Sequence, residues 1–289
     1  MQVVSGVGEV RTAVARARAG GQRVAFVPTM GNLHAGHIAL ADRACALADR
    51  VVVSIFVNPL QFSAGEDFEA YPRTPETDHR MLETAGVDLL WTPGVRDLYP
   101  RGLEHTTRIE VPGLSDILCG AHRPGHFAGV ATVVAILLNA VGPDLALFGE
   151  KDYQQLLVIR RLVEDLQMPV TVVPVPTVRE PDGLAMSSRN GYLGPDERRR
   201  APALYRALQR AAARLSRGEA DSGAVEADGL AELGAAGLRP DYFSVRRAAD
   251  LAAPGPADRD LVVLAAAWLG RARLIDNLRC ERSRPGGPD

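Results

Sequence analysis

The chain has 289 residues, 46% of them hydrophobic and 24% charged, the balance of a folded protein with enough length for one large or two modest domains. With 33 basic and 35 acidic residues the formal net charge is -2, so the basic excess by which a nucleic-acid-binding surface shows itself is missing. Cys45, Cys119 and Cys280 are odd in number and far apart, which argues against a disulfide framework or a cysteine-rich zinc site and for thiols in a reducing compartment. Glu9, Arg11, Arg16 and Arg18 interrupt the N-terminal stretch, which therefore has no signal-peptide apolar core. The most apolar helical stretch, residues 130–141, is too short to span a bilayer. A cytoplasmic protein without membrane or nucleic-acid partners is expected.

In chain order, residues 23–28 form a short apolar run that Pro28 ends, and residues 35–49 carry helical periodicity. Residues 50–57 are a continuous β-branched run, as in a strand buried on both faces. A polar, turn-rich stretch covers 65–77; residues 75–85 read as helix and 87–91 as strand. Residues 126–141 are apolar enough for a buried helix, followed by strand over 144–148, helix over 152–167 and strand over 170–175. This alternation predicts an α/β fold, a Rossmann-like doubly wound parallel sheet with helices on both faces. Residues 176–195 read as an ordered loop. Ala-rich helix follows over 195–215 and 224–236, then strands over 241–246, 261–267 and 271–276. Helices followed by strands predict a smaller C-terminal α+β domain, which divides the chain into 1–177 and 178–289. The tail SRPGGPD is expected to be disordered. The run Arg198, Arg199, Arg200 is read as a solvated helix face.

Three strings carry chemistry. The first, Pro28-Thr29-Met30-Gly31-Asn32-Leu33-His34-Ala35-Gly36-His37, lies between a strand and a helix. That is the carboxyl edge of a parallel sheet, where open α/β folds bind ligands. A helix N-terminus there attracts phosphate through main-chain N–H groups, Gly31 and Gly36 let a ligand approach the backbone, and His34 and His37, three apart, either face the same ligand, where imidazole suits a phosphoryl oxygen, or simply cap and pack the helix. The second, Phe148-Gly149-Glu150-Lys151-Asp152-Tyr153-Gln154-Gln155, again joins strand to helix; Lys151 can neutralise phosphate, and Asp152 can cap the helix or reach a phosphate-bound Mg²⁺. The third, Met186-Ser187-Ser188-Arg189-Asn190, offers hydroxyls and a guanidinium to phosphate. Asn58 and Gln61 are amides at a sheet edge, suited to hydroxyl and carboxylate groups. Arg123 and His126 either bind carboxylate or pack a helix start.

H-x-G-H after a first strand is similar to the signature of the class I nucleotidyltransferase superfamily, and the longer string from Pro28 to His37 resembles the pantothenate synthetase (pantoate–β-alanine ligase) family. The likeness runs from about residue 23 to 195 and resumes at Arg273-Leu274-Ile275-Asp276-Asn277. It implies ATP-dependent condensation of pantoate with β-alanine through a pantoyl-adenylate, by a homodimer with a nucleotide- and pantoate-binding first domain and a lid-like second domain. It implies ATP contacts from Met30, Gly31, Asn32, Leu33, His34, Ala35, Gly36, His37, Gly149, Glu150, Lys151, Asp152, Val178, Met186, Ser187, Ser188 and Arg189. Of these, His34, His37, Lys151 and Arg189 are implied to be catalytic, with Mg²⁺ beside Asp152. Gln61, Gln155, Asn58, Arg123 and His126 are implied to serve pantoate and β-alanine. The order Glu76-Thr77-Asp78 departs from the acidic pair the family often has, so no metal or ribose role is read into it. The H-x-G-H motif alone also suits another nucleotidyltransferase, a tRNA synthetase fragment or a silent nucleotide-binding protein.

Overall fold

The computed structural model describes residues 1–62, 66, 68–218 and 221–283. The chain divides into two units, Met1–Glu150 with Gln155–Thr177, and Lys151–Gln154 with Val178–Asp289.

The first unit runs β1 (Gln2–Val4), α1 (Val7–Ala19), β2 (Val24–Thr29), α2 (Ala35–Cys45), β3 (Arg50–Ile55), α3 (Pro75–Thr84), β4 (Leu89–Trp91), α4 (Val95–Leu98), α5 (Cys119–His122), α6 (His126–Val141), β5 (Leu145–Gly149), most of α7 (Tyr153–Asp165) and β6 (Thr171–Val175). Among the described residues, six strands pair in the order β1-β4-β3-β2-β5-β6, and every pairing is parallel. From β2 the chain builds outward through β3 on one side and from β5 through β6 on the other. The order therefore reverses between β2 and β5, the kind of switch point at which doubly wound sheets bind ligands. Consecutive β2 residues Val24, Ala25, Phe26 and Val27 are all buried, so both faces of the sheet are covered. Ala25, Val27, Val51 and Val53 share one core with Leu40, Ala41 and Ala44 of α2 and Leu82 of α3. The sequence reading did not anticipate α1. Its buried stripe is only Val10 and Val14, four apart, and its start is fixed by Glu9, whose Oε2 accepts the Ser5 and Gly6 N–H groups at 3.1 and 2.8 Å.

The second unit contains α8 (Pro195–Arg200), α9 (Ala203–Ser216), α10 (Ser222–Ala235), β7 (Arg239–Arg247), β8 (Asp260–Leu269) and β9 (Ala272–Glu281). The strands pair antiparallel in the order β7-β8-β9. Phe243, Val245, Leu261, Val263, Ala265 and Leu274 of this sheet bury against Leu204, Leu208 and Leu215 of α9 and Val225 and Leu233 of α10. The single helix expected over 195–215 is two helices, because Pro202 has no N–H to continue the first ladder and instead caps α9. The α7 helix starts at Tyr153, after a 3₁₀ turn over Glu150–Asp152. Residues 151–154, on the first-domain side of the division read from sequence, group with the second unit. Asn277 Nδ2 donates to the Lys151 carbonyl at 2.9 Å, and Tyr153 OH donates to the Ala248 carbonyl at 2.9 Å.

Arg198, Arg199 and Arg200 are each paired, with Asp182 at 2.5 Å and with Asp196 at 2.9 and 3.2 Å, as a solvated face should be. The three cysteines form no disulfide. No helix among the described residues is long and apolar enough to cross a membrane. From residue 284 the tail expected to be disordered lies outside the described residues, as do Gly65 and Asp67 in the expected turn region.

Candidate active site

The loop after β2 is shaped by a backbone few residues tolerate. Gly31 has φ +78, and Asn32 follows at φ 48, both in the left-handed region. A Cβ on Gly31 would lie 3.0 Å from both Asp78 Oδ2 and Ile55 Cγ2. Asp78, on α3 and only 1% exposed, fixes this loop: Oδ2 accepts the Asn32 N–H at 2.9 Å, Oδ1 the Leu33 N–H at 2.8 Å, and the Thr74 hydroxyl donates to Oδ1 at 2.9 Å. The sequence assigned Asp78 no role. Its distance of 45 and 46 residues from its partners hid the connection.

The loop delivers two stacked histidines. The His34 and His37 rings are 4.1 Å apart at 38°. His34 caps α2, its Nδ1 accepting the Gly36 N–H at 3.1 Å, while His37 Nδ1 accepts the His34 N–H at 3.3 Å. A main-chain N–H can only donate, so each Nδ1 must be the acceptor and each neutral ring carries its proton on Nε2. This corrects one expectation from sequence. The Gly36 and His37 N–H groups do not wait for phosphate; they go to His34 Nδ1 and to the His34 carbonyl, the latter at 2.8 Å. Each imidazole is polarised by the main-chain N–H it accepts, that of Gly36 for His34 and that of His34 for His37.

At the end of β3, Asn58 is 1% exposed and uses all its polar valences. Its Oδ1 accepts the Tyr99 hydroxyl at 2.6 Å and the Leu60 N–H at 3.2 Å; its Nδ2 donates to the Gly129 carbonyl at 3.2 Å and to Gln61 Oε1 at 3.1 Å. Burial holds the Tyr99 phenol well above its ordinary pKa, so it stays a donor. These bonds fix the Gln61 amide with its Nε2 toward the sulfur of Met30 at 3.0 Å. Thioether sulfur is a weak acceptor, so this N–H₂ is a donor ready for a better oxygen. Asn58, by contrast, has nothing left for a ligand.

Arg123 and His126 are built around the same residue. The Arg123 guanidinium forks onto Glu66 at 2.7 and 2.6 Å and donates to the Gln61 carbonyl at 3.3 Å and to His126 Nε2 at 3.0 Å. His126 Nδ1 donates to the Gln61 carbonyl at 2.8 Å. Of the two readings left open by sequence, packing and support is the one the geometry favours: the Arg123 charge is met by Glu66, and both nitrogens of His126 are engaged. Gln155 is half-buried at the third position of α7.

In the second unit Lys151, Ser187, Asn190 and Asp276 line one small cavity with Leu184, Ala185, Leu204, Leu274 and Ile275. The Asn190 Oδ1 there is buried without a partner among the described residues. The segment from 178 to 190 folds back on itself. Arg179 bridges Ala185, Met186 N–H donates to the Val178 carbonyl at 3.0 Å, and Ser187 Oγ accepts the Arg189 N–H at 3.3 Å. Ser188 and Arg189 lie in a 3₁₀ turn over Ser188–Tyr192. Asp276 is 3% exposed; burial pushes its carboxyl up, and the Arg179 guanidinium draws it only part of the way back. Asp152 is 45% exposed, 3.8 Å from the Lys151 ammonium. Among the described residues no three acidic, histidine or cysteine side chains gather as a protein-only metal cage.

The description Pantoate-beta-alanine ligase belongs to the family model that matches residues 2–279. The chain is 63% identical over 261 residues to a pantothenate synthetase of Thioalkalivibrio sulfidiphilus, covering 90% of this chain and 91% of that one. It is 60% identical over 278 residues to a pantothenate synthetase of Pseudomonas putida, covering 96% and 97%. The crystal structure of pantothenate synthetase from Thermus thermophilus superposes with a TM-score of 0.89 at 49% identity, covering 96% of this chain and 99% of that one. A pantoate–β-alanine ligase from Francisella tularensis, solved with β,γ-ATP and β-alanine, superposes with a TM-score of 0.81 at 33% identity, covering 96% and 97%. With a matching model over nearly its whole length and relatives near 60% identity, this chain belongs to the pantoate–β-alanine ligase family of ATP-dependent ligases.

Proposed function

We propose that the chain makes pantothenate in two steps. A carboxylate oxygen of pantoate attacks the α-phosphorus of ATP, the bond to pyrophosphate breaks, and pantoyl-adenylate forms. The β-alanine amine then attacks the acyl carbon, the acyl C–O bond breaks, AMP leaves and the amine loses a proton. The observation that carries this reading is the paired histidines held through their Nδ1 atoms on the loop at the carboxyl edge of the sheet, in the unit that also holds the Gln61 amide donor.

A carboxylate and a triphosphate repel, so donors must lower the charge that builds at phosphorus. His34 and His37 supply N–H donors to phosphate oxygens, on the loop of Met30, Gly31, Asn32, Leu33, Ala35 and Gly36. In their neutral form they stabilise charge by hydrogen bonding, and His37 carries the proton that can follow the leaving group. Lys151 and Arg189 bring full charges, and Ser187 and Ser188 hydroxyls; Gly149, Glu150, Val178 and Met186 complete the ATP set. Gln61 Nε2, exchanging Met30 sulfur for a ligand oxygen, binds pantoate together with Gln155. Asn58, Arg123 and His126 act on pantoate through Gln61.

Mg²⁺ on ATP would be held mainly by phosphate oxygens and water, as such ions are. The exposed Asp152 carboxylate fits as its protein ligand, and the ion would neutralise phosphate charge. The protein is proposed to be a cytoplasmic homodimer, which light scattering checks.

ATP–pyrophosphate exchange tests the reading. Exchange should require pantoate, and AMP should accumulate only when β-alanine is added. Exchange indifferent to pantoate would contradict it. A folded Lys151→Ala variant should lose more than about tenfold in exchange rate, the scale of a lost charge-stabilising contact.

A further inference from the structure

The segment Arg273 to Asn277 on β9 is taken up by nothing in the two-step chemistry. Asp276 is buried, and its two oxygens accept Nη1 and Nη2 of Arg179 at 2.6 and 3.0 Å. The same guanidinium donates to the Gly183 carbonyl at 3.1 Å and the Asn277 carbonyl at 3.4 Å, and lies 3.7 Å over the Tyr205 ring. Asp276 Oδ1 also accepts the Asn277 N–H at 2.8 Å, and Asn277 Nδ2 donates to the Lys151 carbonyl at 2.9 Å. One carboxylate is thus tied in one direction to the 178–190 segment and in the other to the main chain of Lys151. Asp276 also lines the cavity that Lys151, Ser187 and Asn190 share.

A buried ion pair is a poor source of stability compared with apolar packing of the same volume. What it supplies is direction. A planar guanidinium fork on a carboxylate fixes both position and orientation. Arg179 is therefore taken up internally, by Asp276 and the Gly183 and Asn277 carbonyls.

The geometry points to Asp276 as a positioning residue for adenylate formation: through Arg179 and Asn277 it holds the Lys151 main chain and the Met186-Ser187-Ser188-Arg189 segment in one arrangement before ATP binds. This rests on the assignment of Lys151 and that segment to the triphosphate.

The test is pantoate-dependent ATP–pyrophosphate exchange by the full-length protein carrying Asp276→Asn, Asn277→Ser, Lys151→Ala, or Asn277→Ser with Lys151→Ala. Glu226→Gln is the control. Glu226 accepts the Val245 N–H at 2.7 Å and the Ser244 hydroxyl at 3.2 Å in the same unit, away from the cavity lining. Asp276→Asn and Asn277→Ser should each lower kcat about tenfold and leave the KM for pantoate unchanged. In the Lys151→Ala background Asn277→Ser should cost less than about twofold more, because residues acting as one unit are not additive. Glu226→Gln should lower Tm and leave exchange at the wild-type rate. Should Asp276→Asn fail to fold, Asn277→Ser decides. Wild-type exchange by folded Asn277→Ser beside a tenfold loss in Lys151→Ala overturns the proposal alone, as do fully multiplicative losses in the double variant or an equal loss in Glu226→Gln. Wild-type exchange by Lys151→Ala removes the phosphate assignment, and the proposal with it.

Discussion

Asn58 shows what a residue type can and cannot announce. An amide at the end of a strand suits a hydroxyl acid, and the sequence places it near a substrate. Whether it faces the ligand depends on Tyr99 and Gly129, which are 41 and 71 residues away and consume its valences. Arg123 is the same case, neutralised by Glu66 at a separation of 57 residues. Local strings singled out His34 and His37, whose Nδ1 hydrogen bonds run to residues two and three apart, whereas Gln61 and Lys151 owe their settings to Met30, Arg123, His126 and Asn277, far along the chain. Such strings gave nothing for Asp78, whose work is to accept two N–H groups of a loop on another element. Two predictions belong at this scale. Tyr99→Phe removes one donor from a buried acceptor that keeps a second, which should cost about 1 kcal/mol in urea denaturation. Asp78→Asn turns one acceptor into a donor facing N–H, leaving a buried donor unmet at about 1–3 kcal/mol. It should also raise the KM for ATP in exchange several-fold while sparing the KM for pantoate, since only the loop proposed to meet the phosphates loses its support. An unchanged KM for ATP would separate Asp78 from the site.

Helices and strands set these side chains by close approach. α6 lies so near the turn after β3 that a Cβ on Gly129 would sit 2.2 Å from the Leu60 carbonyl oxygen and 2.8 Å from the Gln61 Cα. Gly129→Ala should therefore destabilise by about 1–3 kcal/mol, the usual cost of overpacking, and raise the KM for pantoate by displacing Gln61; urea denaturation and steady-state kinetics read the two effects. In the second unit Asp182 joins the turn before Gly183 to α8 through Arg198. The hydrogen bond from Arg198 holds its carboxyl below the ordinary value. Folded Asp182 thus keeps its charge to lower pH than unfolded Asp182, so the contribution is complete above about pH 4, near the unfolded value, and vanishes as pH falls through the folded one. The urea midpoints of wild type and Arg198→Ala should differ slightly at pH 6, the pair being exposed, and converge in acid. A gap that widens in acid would contradict the pairing. The strong elements of the α/β half were legible because β-branched runs and apolar periodicity mark buried strands and helices. β1 and α1 were not, since three residues of edge strand and a two-valine stripe hardly differ from loop. The split at Pro202 was legible in principle, as a proline inside a helical run.

For the whole molecule, a charge near zero with no basic excess agrees with small-molecule substrates, and membership of the pantoate–β-alanine ligase family rests on nearly the full length of the chain. The doubly wound sheet places H-x-G-H at its carboxyl edge, as the sequence rhythm predicts, and beside the point where the strand order reverses, which the β2–β5 pairing shows. The grouping of 151–154 with the C-terminal unit was beyond sequence, because it depends on Asn277 and Ala248, about a hundred residues downstream. The central claim is that the carboxylate oxygen of pantoate itself attacks the α-phosphorus. Turnover of pantoate labelled with ¹⁸O in its carboxylate, followed by mass spectrometry of the nucleotide, tests it most directly. The account predicts one ¹⁸O in the phosphate of AMP. Label in inorganic phosphate or pyrophosphate, or AMP without label, would contradict it.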